Sequence, residues 1–341
     1  MGQKFYKRIL VALDGSEDSL AGARLVLELA EGLGSEVRAA HVYDTAIHNS
    51  RFREIEPGLP RQYQAPASMG RLRKEHNSLM SEGFMALSLG YMEDFLSRAR
   101  QCGVIATEKA AAGRNYLGIL EMLREEEFGL AVLGATGLGA QQDGMLGSTA
   151  VRVLRRAPGD ILIARAARRE TPGKVIMACV DGSLPAAAAM RKAVKLACAM
   201  HGELHLFSAY DTAFHRTIFK TMARSLSVER QREIGLDRQE TVHEELIDKS
   251  LQSLYGSYVD KAAREAVLAM PDVQSCLRPG KAYRAIVDYA AEIEADLIVL
   301  GRYGHNYEEV SDIGSHAEAV ARLAPCSVLV CGNGPGGPEP A

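Results

Sequence analysis

Several features that settle a protein's class are missing from this sequence. It has only six cysteines in 341 residues, and no two form a CxxC pair. None of them is matched between the two halves of the chain. Neither a disulfide framework nor a structural zinc site is expected, and a reducing cytoplasm is the expected setting. There is no excess of either charge: 40 Lys and Arg against 43 Asp and Glu leave a formal net charge of −3. A global basic field for nucleic acid is therefore absent, and the short cluster from Arg165 to Arg169 reads as a solvated linker. No apolar run approaches the ~20 residues that span a bilayer, and Phe5-Tyr6-Lys7-Arg8 leads straight into a short strand-like run. No membrane partner is expected.

Catalytic signatures are missing as well. The sequence contains no G-x-x-x-x-G-K-[ST] phosphate loop and no G-x-S-x-G elbow. Pro279-Gly280-Lys281 precedes a helical stretch but lacks the rest of the phosphate-loop pattern. Asp14 and Asp181 are carboxylates with no proton to abstract placed beside them.

What the chain does have is a copy of itself. Val11-Ala12-Leu13-Asp14-Gly15-Ser16 returns 167 residues later as Ala178-Cys179-Val180-Asp181-Gly182-Ser183. Gly134 returns as Gly301, Gly147 as Gly314, and Ala157-Pro158 as Ala324-Pro325. A constant offset means a duplication with almost no net insertion, so two domains are expected, over 1–168 and 169–334, with 335–341 as a disordered tail.

Within the first copy, short apolar runs alternate with longer amphipathic stretches. Arg8–Leu13, Glu36–Val42, Val104–Ala110, Leu130–Leu133 and Asp160–Ala164 read as strands. Ser16–Gly32, a stretch ending at Gln101, Arg114–Glu127 and Ser148–Arg156 read as helices, with Ser16 as an N-cap and Gly34 as a stop. The alternation predicts an α/β fold built from two tandem five-stranded parallel sheets covered on both faces. After the second strand each copy carries about 40 residues beyond a minimal unit, over 44–85 and 211–252, expected as helical insertions.

Copy one then reads Gly134-Ala135-Thr136-Gly137, nine residues, and Gly147-Ser148-Thr149. Copy two reads Gly301-Arg302-Tyr303-Gly304, nine residues, and Gly314-Ser315-His316. This G-x-x-G-x9-G-S pattern follows a strand and ends at a helix start. Glycines there let backbone approach a ligand closely, and a helix N-terminus offers free N–H groups and partial positive charge to phosphate oxygens. Asp14 and Asp181 close the first strands at the carboxyl edge, where open α/β sheets bind ligands.

With its I-L-V-A-L-D-G-S opening, the twice-repeated glycine loop and the Ala324-Pro325-Cys326-Ser327-Val328-Leu329-Val330 ending, the chain resembles the universal stress protein family in tandem form. The resemblance implies a five-stranded parallel sheet that pairs as a dimer, here between the two fused copies or between whole chains. In the family's ATP-binding branch the first-strand aspartate and the end of the second strand hold adenosine, and the glycine loop with its Ser wraps ribose and phosphates. Carried onto this chain, that implies ATP, alone or with Mg2+, at Asp14, Val42, Gly134, Gly137, Gly147, Ser148 and Thr149. In copy two it implies Asp181, Ala209 (with Phe207 as the alternative on the same strand), Gly301, Gly304, Gly314 and Ser315. The function implied is a nucleotide-binding stress-response regulator, with slow ATP hydrolysis left open. Two departures stand out. Thr136 and Tyr303 occupy a position that is often basic, and His316 replaces a small residue.

A second reading of different class stays open. Tyr43-Asp44-Thr45-Ala46-Ile47-His48 matches Tyr210-Asp211-Thr212-Ala213-Phe214-His215, and 28 residues beyond each histidine come His76 and His243. Glu240, His243 and Glu244 share a helical face, and Glu and His at i, i+3 is a spacing used by metal sites. A metal- or haem-binding sensor or enzyme using His48, His76, His215, Glu240, His243 and Glu244 is the alternative to partly buried histidines that only bond to backbone.

Overall fold

The computed structural model describes residues 5–138, 145–166, 174–212, 217, 221, 224–233, 248–305 and 312–332. The chain divides into two compact units, Met1–Ala166 and Ala167–Ala341.

In the first unit β1 (Arg8–Ala12), β2 (Glu36–Tyr43), β3 (Ala106–Ala112), β4 (Leu130–Gly134) and β5 (Asp160–Ala164) form a sheet in the order β3-β2-β1-β4-β5. Every pairing within it is parallel. The central strands β1 and β4 are apolar over most of their length because helices cover both faces. Ile9, Leu10 and Val11 of β1 are fully buried, as are Leu162 and Ile163 of β5. β3 pairs with β2 alone, and it tolerates Thr107 and Glu108 as exposed residues. Its register against β2, Val37 opposite Ala106 through Tyr43 opposite Ala112, moves the strand two residues along from the expected Val104–Ala110.

The chain leaves β1 in one direction toward β2 and β3 and in the other toward β4 and β5. A crevice therefore opens between the carboxyl ends of β1 and β4, the topological switch point of such sheets. Helix α1 (Glu17–Leu33) starts there. Ser16 caps it by accepting from the Ser19 N–H at 3.2 Å, and Gly34 stops it in the left-handed region at φ 64°. Both ends match the sequence signals.

The insertion after β2 is helical, as expected. It consists of α2 (Thr45–Ile55), two single 3-10 turns at Glu56–Gly58 and Arg61–Tyr63, and α3 (Pro66–Gln101). Pro66 opens α3 at a position where its missing N–H costs nothing. At 36 residues α3 runs to about 54 Å. Its C-terminal part buries Met92, Phe95 and Ala99 against the sheet, whereas Leu79, Met85 and Leu87 stay exposed. Helices α4 (Asn115–Glu125) and α5 (Ser148–Arg156) complete the unit.

The second unit repeats the plan. β6 (Val175–Cys179), β7 (Glu203–Tyr210), β8 (Val273–Pro279), β9 (Leu297–Gly301) and β10 (Ser327–Cys331) are ordered β8-β7-β6-β9-β10, again parallel. Its helices are α6 (Leu184–Met200), α7 (Val228–Glu233), α8 (Asp248–Ala266), α9 (Ala282–Glu292) and α10 (Ser315–Leu323). Ser183 caps α6, and His201 takes the left-handed stop that Gly34 takes in unit one. All six cysteines are unbridged thiols. No described helix is long and apolar enough to cross a membrane.

Candidate functional site

A cavity of about 540 Å3 opens at the carboxyl ends of β1, β2 and β4 in unit one. Asp14, Val42, Gly134, Gly137, Gly147, Ser148 and Thr149, spread over 136 positions of sequence, all line it. At the equivalent edge of unit two, Asp181, Ala209, Gly301, Gly304, Gly314 and Ser315 line a cavity of about 260 Å3.

The glycines act first on the protein. A Cβ on Gly134 would stand 2.8 Å from the backbone nitrogen of Ser19, and one on Gly301 would stand 3.0 Å from the carbonyl carbon of Pro185. The strand end is pressed against the first turn of the following helix, and only glycine fits. Gly137 and Gly304 face the carboxylates of Asp14 and Asp181, with Cβ positions 3.0 and 2.7 Å from Oδ2. The loop base is pinned by Gly147 N–H donating to the Ala135 carbonyl at 2.7 Å, and by Gly314 N–H donating to that of Arg302 at 2.9 Å. Close approach of backbone, predicted toward a ligand, is thus also required by the fold itself.

The loop leaves one helix end open. Gly147 is the N-cap of α5 and carries no side chain to bond the first N–H groups. Ser148, Thr149 and Ala150, the first turn, all line the cavity. Uncapped donors and the positive end of the helix dipole therefore face it. α10 in unit two starts the same way at Gly314. The other end of the first cavity is apolar, walled by Ala40, Val42, Leu87 and Ile119.

Asp14 holds its own turn together. Oδ1 accepts from the Ser16 N–H at 3.0 Å and from the Ser16 hydroxyl at 2.6 Å. Asp181 repeats the first bond, to Ser183, at 2.9 Å.

Four residues at the site escaped sequence reading. Tyr91 lines the cavity and lies against Gly15, whose Cβ would stand 2.6 Å from the ring at φ +78°. Tyr258 does the same to Gly182 at φ +83°. The two tyrosines are matched at the repeat offset, a signal that was available in the sequence. Asp18, largely buried, accepts from Thr136 in the glycine loop and from the Ala166 N–H. His41 lines the cavity, and burial lowers its pKa despite the opposing pull of the Asp14 carboxylate.

The two family model matches decide the identity. They cover residues 5–165 and 173–332, and the model is that of the universal stress protein family. The chain belongs to the universal stress protein family, in tandem form. A universal stress protein of Methanocaldococcus jannaschii is 27% identical over 171 residues, covering 50% of this chain and 88% of that protein. Among solved structures, a functionally unknown protein from Pseudomonas aeruginosa aligns with a TM-score of 0.59 at 15% identity, over 96% of this chain and 92% of its own. A universal stress protein from Archaeoglobus fulgidus aligns with a TM-score of 0.55 at 16% identity, over 96% and 99%. At these identities the structures establish the fold.

The metal alternative finds no footing in the described part of the insertions. The His48 ring packs 5.0 Å from Phe84 and the His76 ring stacks 4.2 Å from Phe52, while His76 Nε2 is buried without a hydrogen-bond partner among the described residues. Among the described residues no group of three His, Cys, Asp or Glu side chains is placed to hold a metal. His215, Glu240, His243 and Glu244 lie outside the described residues.

Proposed function

We propose that this universal stress protein binds an adenine nucleotide, ATP in the first instance, in the cavity of unit one, as a regulatory rather than catalytic act. The observation that supports this most directly is the pairing of two ends in one cavity. One end is a helix N-terminus with its first turn uncapped, and the other is an apolar recess between β2, α3 and α4. Phosphate suits the first and a purine suits the second. Among the described residues no lysine or arginine lines the cavity, so backbone N–H groups and the hydroxyls of Thr136, Ser148 and Thr149 are the phosphate donors. In this reading Mg2+ would be held chiefly by the phosphates themselves.

The same reading assigns the nucleotide to one unit. A volume near 540 Å3 lies inside the usual range for small-molecule sites, about 300–1,000 Å3, and one near 260 Å3 lies below it. The reason is legible position by position. Ala40 becomes Phe207, Ser88 becomes Tyr255, Ala135 becomes Arg302, Thr136 becomes Tyr303 and Thr149 becomes His316, all lining the smaller cavity. Phe207 is fully buried and stacks on Tyr289 at 5.0 Å.

Native mass spectrometry and calorimetry of the full chain with ATP test the proposal. One nucleotide per chain is expected. Thr149→Trp should abolish binding, and His316→Trp, the matched change in unit two, should leave it intact. No ATP binding by the wild-type chain, or loss on His316→Trp alone, would refute it.

A further inference from the structure

We propose that His41 reads the base of the bound nucleotide, accepting a hydrogen bond from an exocyclic amine through its Nε2 atom. This rests on the nucleotide reading above and goes on to name what selects the base.

The argument is one of proton counting. His41 Nδ1 lies 2.6 Å from the Ser88 hydroxyl oxygen, and that oxygen lies 2.6 Å from the Phe84 carbonyl. A carbonyl oxygen only accepts, so the single Ser88 proton is committed to Phe84. Ser88 is fully buried, so water cannot relieve the assignment. Toward His41 the hydroxyl can then only accept, and Nδ1 must carry the N–H. Burial lowers the pKa of the ring and so favours its neutral form, against the pull of the Asp14 carboxylate. A neutral imidazole with its proton on Nδ1 has a lone pair on Nε2.

Nε2 has no hydrogen-bond partner among the described residues, and His41 lines the cavity from the α3 side of β2, against Tyr91. Tyr91 meets the ring edge-on at 5.4 Å and fixes its plane. The cavity thus presents a fixed acceptor where the base would lie. The 6-amino group of adenine is a donor and pairs with it. The 6-keto oxygen of guanine is an acceptor and would set one lone pair against another, leaving both unsatisfied. Unit two lacks the device. At that position Ser208 is buried and donates its hydroxyl to the Val180 carbonyl at 2.6 Å.

The test titrates ATP, GTP and the triphosphate of purine riboside, which lacks the 6-amino group, into the full chain, both wild type and His41→Ala. Wild type should bind ATP at least about tenfold tighter than either competitor. His41→Ala should bring all three within about threefold of one another. In the 15N spectrum of histidine-labelled wild type, Nε2 of His41 should resonate as an unprotonated nitrogen and shift on adding ATP but not the purine analogue. Should His41→Ala fail to fold, the wild-type comparison of ATP with the purine analogue decides alone. Equal affinity for those two, a protonated Nε2 in the free chain, or an unchanged ATP-to-GTP ratio in folded His41→Ala overturns the role of His41 while leaving the nucleotide site standing. If wild type binds none of the three, both readings fall.

Discussion

Asp18 holds Thr136 by two atoms at once: its Oδ2 accepts from the Thr136 N–H at 3.0 Å and from the Thr136 hydroxyl at 2.6 Å, across 118 positions of sequence. Its other oxygen accepts from the Ala166 N–H at 2.7 Å. A carboxylate in the first turn of α1 thus ties the glycine loop to the end of β5. Asp18→Ala removes three bonds to a charged, largely buried group, and a loss of about 3 kcal/mol in urea unfolding is expected. The loop loses its anchor with it, so ATP affinity should drop in the same variant. Unit two has Pro185 at this place, and a substitution there should leave ATP affinity unchanged.

Gly15 and Gly182 supply a replicated experiment within one chain. Each sits at positive φ under a tyrosine ring 2.6 Å from where a Cβ would stand. Gly15→Ala and Gly182→Ala should each destabilise their unit by about 1–3 kcal/mol, part from backbone strain and part from the clash. Pairing each with Tyr91→Ala or Tyr258→Ala relieves the clash and leaves the strain. A double-mutant cycle should return a coupling of about 0.5–3 kcal/mol of the same sign in both units. A coupling near zero would show that the rings move aside at no cost.

Gly134→Ala is the substitution a motif-based reading would choose to abolish nucleotide binding. Its Cβ would fall 2.8 Å from the Ser19 backbone nitrogen, with no flexible side chain to yield. The expected result is a lower unfolding midpoint without any ligand present, by about 1–3 kcal/mol. Thr149→Trp, at the mouth of the site, should leave the ligand-free midpoint nearly unchanged. Comparing the two by thermal melting of the empty chain separates loss of site from loss of fold.

Acid should weaken the fold through two histidines. Burial lowers the pKa of His41 and of His205, whose Nδ1 lies 3.0 Å from the Tyr289 hydroxyl. Unfolded, each takes its proton near pH 6.5, and folded only at lower pH. The folded chain therefore binds fewer protons in that interval. The contribution is complete above about pH 6.5 and is lost as pH falls through the interval toward the folded values. Urea midpoints should fall between pH 7.5 and pH 5.5, and the fall should shrink in a His41→Asn, His205→Asn double variant.

Most of the scaffold was readable because its signals are local. Apolar runs marked the strands, Ser16 and Gly34 marked the ends of α1, and the 167-residue offset marked the duplication. β3 shifted by two residues because its register is set by pairing with β2, which is a tertiary constraint. The glycine-loop residues that line the two cavities were legible through their spacing. Tyr91, Asp18 and His41 were missed because their partners are 76, 118 and 47 positions away, and no short motif links them. The histidine pairs were conspicuous in sequence; in the structure the rings of His48 and His76 lie against Phe84 and Phe52, and His215 and His243 lie outside the described residues.

Gly301, Gly304 and Gly314 keep the full loop pattern around a cavity half the size of its twin, because each glycine answers to a neighbouring backbone or carboxylate oxygen within its own unit. In this architecture the glycine signature and the size of the pocket are separable traits. A duplicated domain can lose about half of its pocket volume alongside five larger side chains and still display an unblemished motif. The room left for a ligand in such folds follows the side chains at positions equivalent to 40, 88, 135, 136 and 149 rather than the glycines between them.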